Sequence, residues 1–310
     1  MMQPVILKQV NKNYGDIQAV KDVSIAINEG EIFGLIGPDG AGKTSIMRMI
    51  VSLLIADSGT ITFFGKEVSK EAAYVRSNIG YMPQRFSLYQ DLSVEENLSF
   101  FGDLFNVPLD IQKERLQRLY AFSKLESFKK RFAGDLSGGM KQKLALSCML
   151  MHEPKVMVLD EPTFGVDPVS RIELWEILDE LCSEGVTLIV STPYMDEAER
   201  CNRIGLINHG RLLSLDKPRS IIKNFTLPIY RAMTDKPHIL YNQLLKILDE
   251  QDIQLYADGV HIIDRKKQGL AVLQQKLQGV ADFKNVPEKI EPGLENIFLD
   301  MMQSEKAENE

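Results

Sequence analysis

The chain is poor in cysteine, with three in 310 residues: Cys148, Cys182 and Cys201. An odd number in apolar or helical surroundings excludes a disulfide-stapled secreted scaffold and reads as reduced thiols of a cytosolic protein. Basic charge is not in excess either. Lys and Arg number 36 against 43 Asp and Glu, a formal net charge of −7, which argues against a dedicated nucleic-acid binder. No uninterrupted apolar run reaches the ~20 residues of a membrane-spanning helix. The start, Met1-Met2-Gln3-Pro4-Val5-Ile6-Leu7-Lys8, lacks the charged leader and long apolar core of a signal peptide. There is no internal repeat. What remains is a chain with 44% hydrophobic and 25% charged residues, enough for one large domain or two ordinary ones. A peripheral role on an integral membrane partner stays open.

What is present is organised around Gly37-Pro38-Asp39-Gly40-Ala41-Gly42-Lys43-Thr44, which satisfies G-x-x-x-x-G-K-[ST] at every defined position. Residues 31–36 read as a short buried strand before it, and 45–51, beginning at Ser45, as a helix after it. That is the context the motif needs. Glycines let the backbone fold close around a phosphate. Successive N–H groups and the helix N-terminus then point at the negative charge. Lys43 is placed to reach the β- and γ-phosphates, and the Thr44 hydroxyl to ligate Mg²⁺.

Two further stretches carry chemistry. Gly134-Asp135-Leu136-Ser137-Gly138-Gly139-Met140 opens a helix over 141–151. Ser137 is a good N-cap, and two glycines at a helix N-terminus suggest a second anion site. Lys155-Val156-Met157-Val158-Leu159-Asp160-Glu161-Pro162 reads as a buried strand ending in two carboxylates. Carboxylates there are costly without a partner, and a Mg²⁺ ion beside the phosphate loop is the natural one. Tyr14, next to a turn, can offer a flat face to a base.

The remaining elements follow from local pattern. An edge strand is expected over 5–10, a turn over 11–16 and a strand over 20–27. A turn at 57–60 leads to a strand over 61–65, then a helix over 70–77 and a strand over 79–84 that runs into a loop at Gln84. The loop 85–92 holds Phe86, Leu88 and Tyr89, apolar for a loop. Ser93-Val94-Glu95-Glu96 is a capping box opening a helix to Phe105, with another helix over 110–125. Beyond Glu161 come a helix over 168–182, a strand over 186–190 and a hairpin of 204–207 with 211–215. From about Thr226 the motifs stop. There the order strand 227–233, helix 238–250, strands 253–257 and 260–263 joined at Asp258-Gly259, helix 268–278 and strand 282–289 matches a ferredoxin-like unit. A helix over 292–302 and a disordered polar tail, 303–310, complete the reading.

Together the motifs resemble the nucleotide-binding subunits of ATP-binding-cassette transporters, over about 5–223. Gly37 to Thr44 matches the Walker A loop and Gln84 the Q-loop glutamine. Leu136-Ser137-Gly138-Gly139 matches the signature LSGGQ with Met140 for Gln, and Val156 to Glu161 matches Walker B. Phe164-Gly165-Val166-Asp167 matches the D-loop. Ile290 to Phe298 looks like the accessory C-terminal domain of many prokaryotic exporter ATPases. The implied fold is an α/β P-loop cassette: a RecA-like core, an antiparallel β subdomain and a helical signature subdomain. A small α+β domain follows, giving 1–225, 226–302 and the tail.

The resemblance also implies roles. Two cassettes pack head to tail, each ATP lying between one Walker A and the other signature. Tyr14 stacks adenine. Gly37, Pro38, Asp39, Gly40, Ala41, Gly42, Lys43, Thr44 and Ser45 hold the phosphates. Ser137, Gly138 and Gly139 meet the γ-phosphate from across the interface, and Asp167 links the sites. Thr44, Asp160 and Gln84 serve Mg²⁺; Glu161 polarises the attacking water, with Gln84 and Lys43 beside it. The implied partners are an integral membrane permease subunit and a second cassette, with no nucleic acid, at the inner face of the cell membrane. Two departures stand out: Met140 in the signature, and Pro193 in the place of a switch histidine. Pro193 keeps an alternative in view, a regulatory cassette that binds ATP and hydrolyses it weakly. Other P-loop classes fit less well. Chromosome-maintenance cassettes insert a very long coiled coil between the two glycine clusters, translation cassettes usually come in pairs, and a GTPase would carry N-K-x-D.

Overall fold

The computed structural model describes residues 2–85, 87–277 and 286–309. It divides into two compact units, Met1–Lys217 and Pro218–Glu310. The division precedes the helix at 218–224 rather than following it, because that helix packs on the last helix of the chain.

The first unit runs β1 (Val5–Tyr14), β2 (Ile17–Ile27), β3 (Ile32–Ile36), α1 (Lys43–Ile50), β4 (Ser58–Phe63), β5 (Lys66–Glu67), α2 (Ala72–Asn78) and β6 (Ile79–Met82). There follow α3 (Val94–Leu104), α4 (Leu109–Ser123), α5 (Gly138–Leu150), β7 (Val156–Asp160), α6 (Pro168–Ser183), β8 (Thr187–Thr192), α7 (Met195–Ala198), β9 (Arg203–Asn208) and β10 (Arg211–Asp216). One sheet has the order β2-β1-β4-β5 and is antiparallel. Strand β1 is therefore interior, not the edge strand expected, and it runs on to Tyr14 through the stretch read as a turn. Register shifts along both of its pairings absorb the polar residues 11–13, which is how a bulged strand hides from a search for alternation.

The other sheet has the order β10-β9-β3-β8-β7-β6. Strands β9, β3, β8, β7 and β6 are parallel to their neighbours, and β10 closes the edge as a hairpin. Every residue of β3, β7 and β8 is buried, as continuous Val/Ile/Leu runs should be in a sheet covered on both faces. Helix α1 joins the two sheets in one core: Val5, Leu7, Phe33, Leu35, Met47, Phe63, Val158 and Ile189 belong to a single buried cluster. All three carboxyl ends that matter, those of β3, β7 and β8, open on the same side, where open α/β sheets bind ligands.

The capping box at α3 forms as read: Ser93 Oγ accepts the Glu96 amide at 3.2 Å and Glu96 Oε2 accepts the Ser93 amide at 2.7 Å. Buried Asn97 holds the preceding loop, accepting the Tyr89 amide and donating to the carbonyls of Tyr89, Leu92 and Ser93. Leu88 is buried while Tyr89 is exposed; Phe86 lies outside the described residues.

The second unit holds α8 (Pro218–Asn224), β11 (Ile229–Met233), α9 (Pro237–Leu244), β12 (Ile253–Tyr256), β13 (Gly259–Ile263), α10 (Leu270–Lys276), β14 (Glu288–Ile290) and α11 (Leu294–Asn309). Its antiparallel sheet has the order β12-β13-β11-β14, the interleaving that a β-α-β-β-α-β chain produces. Residues 282–285 of the expected last strand lie outside the described residues. Helix α11 continues to Asn309 where a disordered tail was expected; Gln, Glu, Lys and Ala in that stretch are all good helix formers. Among the described residues no helix is long and apolar enough to cross a membrane.

Candidate nucleotide-binding site

The loop between β3 and α1 is shaped by two glycines that nothing else could replace. A Cβ on Gly37 would lie 2.2 Å from the Ile207 carbonyl oxygen. One on Gly42 would lie 2.3 Å from the Ala19 oxygen, and Gly42 has φ +102. Gly42 caps α1 with no side-chain hydrogen bond, so the first turn offers its N–H groups outward. Pro38 is half-buried, Asp39 and Gly40 exposed, and Ala41 buried, with its amide on the Pro38 carbonyl at 3.2 Å. Tyr14 is 46% exposed at the end of β1, and its hydroxyl lies 3.3 Å from Ser45 Oγ on α1. Thr44 and Ser45 are both half-buried on that first turn.

Lys43 is only 4% exposed. Its ammonium donates to the carbonyls of Gly37 at 2.8 Å and Pro38 at 3.1 Å and pairs with Glu161 Oε1 at 3.2 Å. Gln84 Nε2 donates to the other carboxylate oxygen of Glu161 at 2.8 Å. Three residues far apart in sequence thus meet at one buried carboxylate. Glu161 itself has φ +51, a left-handed conformation that costs a non-glycine residue free energy and concentrates at working sites. Two bonds hold it there: its amide donates to Ser191 Oγ at 3.0 Å and to the Ser191 carbonyl at 3.2 Å.

Asp160, 1% exposed, ends β7 opposite Ser191 on β8. Its Oδ1 accepts from the Ser191 hydroxyl at 2.6 Å, while its buried Oδ2 has no hydrogen-bond partner among the described residues. A buried carboxylate oxygen left in that state costs free energy unless a ligand completes it. The sequence reading did not single out Ser191. Its signal was available only in two dimensions, as a hydroxyl one strand across from Asp160.

The second glycine cluster is elsewhere. Ser137 caps α5 by accepting the Met140 amide at 3.3 Å, and it and Gly138 are exposed. A Cβ on Gly139 would lie 2.4 Å from Ser170 of α6. Helix α5 packs on α3, α4, α6 and β6, whereas α1 packs on β2, β4 and β7. Asp167 is exposed and caps α6 through the amides of Val169 and Ser170 at 3.1 and 3.0 Å. The Ser170 amide holds its carboxyl below the usual carboxylate range. One chain thus assembles Lys43, Gln84, Asp160 and Glu161 with the loop, and leaves Ser137, Gly138 and Asp167 exposed, with Gly139 buried against Ser170.

The description of a protein family, "ABC transporter", matches residues 20–164. Nod factor export ATP-binding protein I of Rhizobium sp. (strain N33) is 41% identical over 218 residues, 70% of this chain and 72% of that protein. The chain belongs to the ABC transporter family. A longer alignment, 40% identical over 291 residues, covers 93% of this chain and 50% of an Escherichia coli (strain K12) protein named "Probable multidrug ABC transporter ATP-binding protein YbhF". The chain therefore spans about half the length of that relative. Among solved structures, cbiO1 of Clostridium perfringens, part of the ABC transporter complex cbiONQ, superposes with a TM-score of 0.67 at 28% identity, covering 72% of this chain and 92% of that one. A dimeric ATP-binding cassette in a post-hydrolysis state, bound to ADP and Pi, superposes with a TM-score of 0.63 at 26% identity over 69% of this chain and 98% of its own. The ABC cassette fold and its P-loop are thereby established for the first unit, and the cassette is a nucleotide-binding one.

Proposed function

We propose that this ABC cassette hydrolyses ATP between two head-to-tail subunits and that the cycle drives export through a separate membrane permease. The observation that carries this is the meeting of Lys43, Gln84 and Glu161 at one buried, strained carboxylate beside the phosphate loop. Exporter relatives support the direction of transport, and the dimeric neighbour supports the pairing. The exposed signature residues Ser137 and Gly138, and Asp167, suit a role across a dimer interface, with Gly139 buried behind them against α6. They are the groups that a single chain leaves facing outward.

In this reading the nucleotide takes over the partners that Lys43 now has. A phosphate among the loop amides draws the ammonium away from Glu161, and Glu161 is freed to accept a proton from water while Gln84 keeps it in place. Tyr14 beside Ser45 offers its ring to the adenine. Mg²⁺ fits this donor set: Asp160 brings a buried oxygen with no partner among the described residues, and Thr44 brings a hydroxyl from the first turn of α1. When bound, Mg²⁺ neutralises the charge that develops on the phosphoryl oxygens. One or two protein oxygens suffice, since it keeps waters and phosphate oxygens as its other ligands. The exposed Tyr89, in the loop that follows Gln84, would meet a permease helix at the inner face of the membrane. The regulatory alternative raised by Pro193 is not favoured by relatives whose names describe exporter ATP-binding proteins.

The test is Lys43→Ala. Losing a charge-assisted contact of about 1.5–3 kcal/mol should weaken Mg-ATP binding roughly ten- to hundredfold, measured by titration with a fluorescent ATP analogue. Unchanged affinity would contradict the assignment.

A further inference from the structure

Helix α6 carries a device that the motifs do not contain. Asp167 caps its N-terminus, and one turn later Arg171 reaches across to the segment after β8. Arg171 Nε donates to Glu197 Oε1 at 2.6 Å, and a terminal nitrogen donates to both oxygens of Asp196 at 2.8 Å. The guanidinium also lies 4.5 Å from the centre of the Tyr194 ring. Glu197 is 1% exposed, so Arg171 is the countercharge of a buried carboxylate. The second oxygen of Glu197 accepts from the Thr192 hydroxyl. The Thr192 carbonyl in turn accepts the Gly37 amide at 3.3 Å. A continuous chain of contacts therefore leads from Asp167 through Arg171, Glu197 and Thr192 to the first residue of the phosphate loop. Pro193 sits inside the segment that Arg171 holds.

We propose that Arg171 is a positioning residue for hydrolysis: it ties the start of α6 to the 192–197 segment and so fixes that segment, and through it Gly37, against the reacting phosphate. Proline at 193 has neither a side-chain donor nor a backbone N–H. The segment must contribute through placement rather than through a contact of its own, which makes its anchor matter more. A planar guanidinium can bind two carboxylates and cover a ring at once; an ammonium cannot. This rests on the reading of Glu161 as the catalytic carboxylate.

The experiment compares the wild-type chain with Arg171→Lys, Arg171→Gln and the double variant Arg171→Gln/Glu197→Gln, measuring kcat, KM for ATP and thermal midpoint. Arg171→Gln strands a buried charge and should lower the midpoint; the double variant removes that charge and Arg171→Lys answers it, so both should melt near wild type. All three should nevertheless lose roughly ten- to hundredfold in kcat, the scale of an ångström-size misplacement, with KM within about twofold. A kcat that recovers wherever the midpoint recovers would show a merely structural ion pair and overturn the proposal. Glu161→Gln, assayed alongside, separates the two readings. If it keeps the wild-type rate, the catalytic reading itself fails. If it abolishes turnover while Arg171→Lys does not slow it, only the role of Arg171 fails.

Discussion

Two buried polar clusters, one from each unit of this protein, are built on opposite principles. In the first unit Lys43, Glu161 and Gln84 meet at a charged centre, with Glu161 at φ +51 and Asp160 Oδ2 left without a partner. In the second, Asn296 Nδ2 donates to Gln254 Oε1 at 2.9 Å and lies 2.8 Å from both the Tyr256 hydroxyl and His261 Nδ1. Gln254 answers by donating to the Asn296 carbonyl at 2.8 Å, and the Gly293 amide binds Asn296 Oδ1 at 3.1 Å. That second cluster is neutral and joins α11 to the sheet of its own unit. The stretch Ile290 to Phe298, recognisable in sequence only as a likeness, thus has a physical reason: Asn296 locks the last helix. Charge, strain and an unfilled acceptor mark a site waiting for a ligand. Neutral, mutually bonded groups mark a fastening.

The largest effect that should separate them is on turnover. Glu161→Gln keeps a group for Gln84 to touch but cannot accept a proton, so phosphate release should fall about a hundred- to ten-thousandfold. In saturating Mg-ATP its thermal midpoint should change little, because the phosphates then answer the buried charge of Lys43 that Glu161 no longer balances. A midpoint that collapses with the rate would make this cluster a fastening as well. Pro193→His sharpens the same side. An aligned donor to the transferring phosphoryl group contributes about 2.7–4 kcal/mol where one has been removed elsewhere, so steady-state ATPase should rise, by up to about a thousandfold. An unchanged rate would mean that another group already supplies the contact.

Asn296→Ala should do the reverse of Glu161→Gln. It leaves several buried groups unpaired at about 1–3 kcal/mol each. The urea midpoint of the second unit should drop by the equivalent of about 2–4 kcal/mol, with ATPase kept within about twofold. The smallest effect is a pH slope. Burial pushes His261 from 6.5 down to about 4, so its neutral form is favoured when folded and the unfolded chain takes up the proton first. The stability this contributes is complete above 6.5 and is lost as pH falls toward 4. The melting temperature of the second unit should therefore decline across that window, and His261→Gln should flatten the decline. Equal slopes in the two proteins would contradict it.

Much of the charged site was legible in one dimension. Gly37 to Thr44, Gln84, Asp160 and Glu161 each stand in a local pattern whose chemistry demands them, and continuous apolar runs announced β3, β7 and β8. The rest depended on what one strand places beside another. Ser191 reads as an ordinary serine until β8 sets it opposite Asp160. Arg171 and Glu197 look like surface charges of two helices until their pairing is seen. The interior position of β1 was hidden because register shifts let polar residues sit in a paired strand. The extension of α11 was hidden because a polar composition suits helix and disorder alike.

In the proposed cycle the half-site that one chain builds needs the signature residues of another. Sizing the purified Glu161→Gln variant with and without Mg-ATP checks this pairing. Hydrolysis is what should release the pair, so the variant should run as a monomer alone and as a dimer with ATP. A variant that stays monomeric in saturating Mg-ATP, or that hydrolyses it at the wild-type rate, would contradict the head-to-tail pairing.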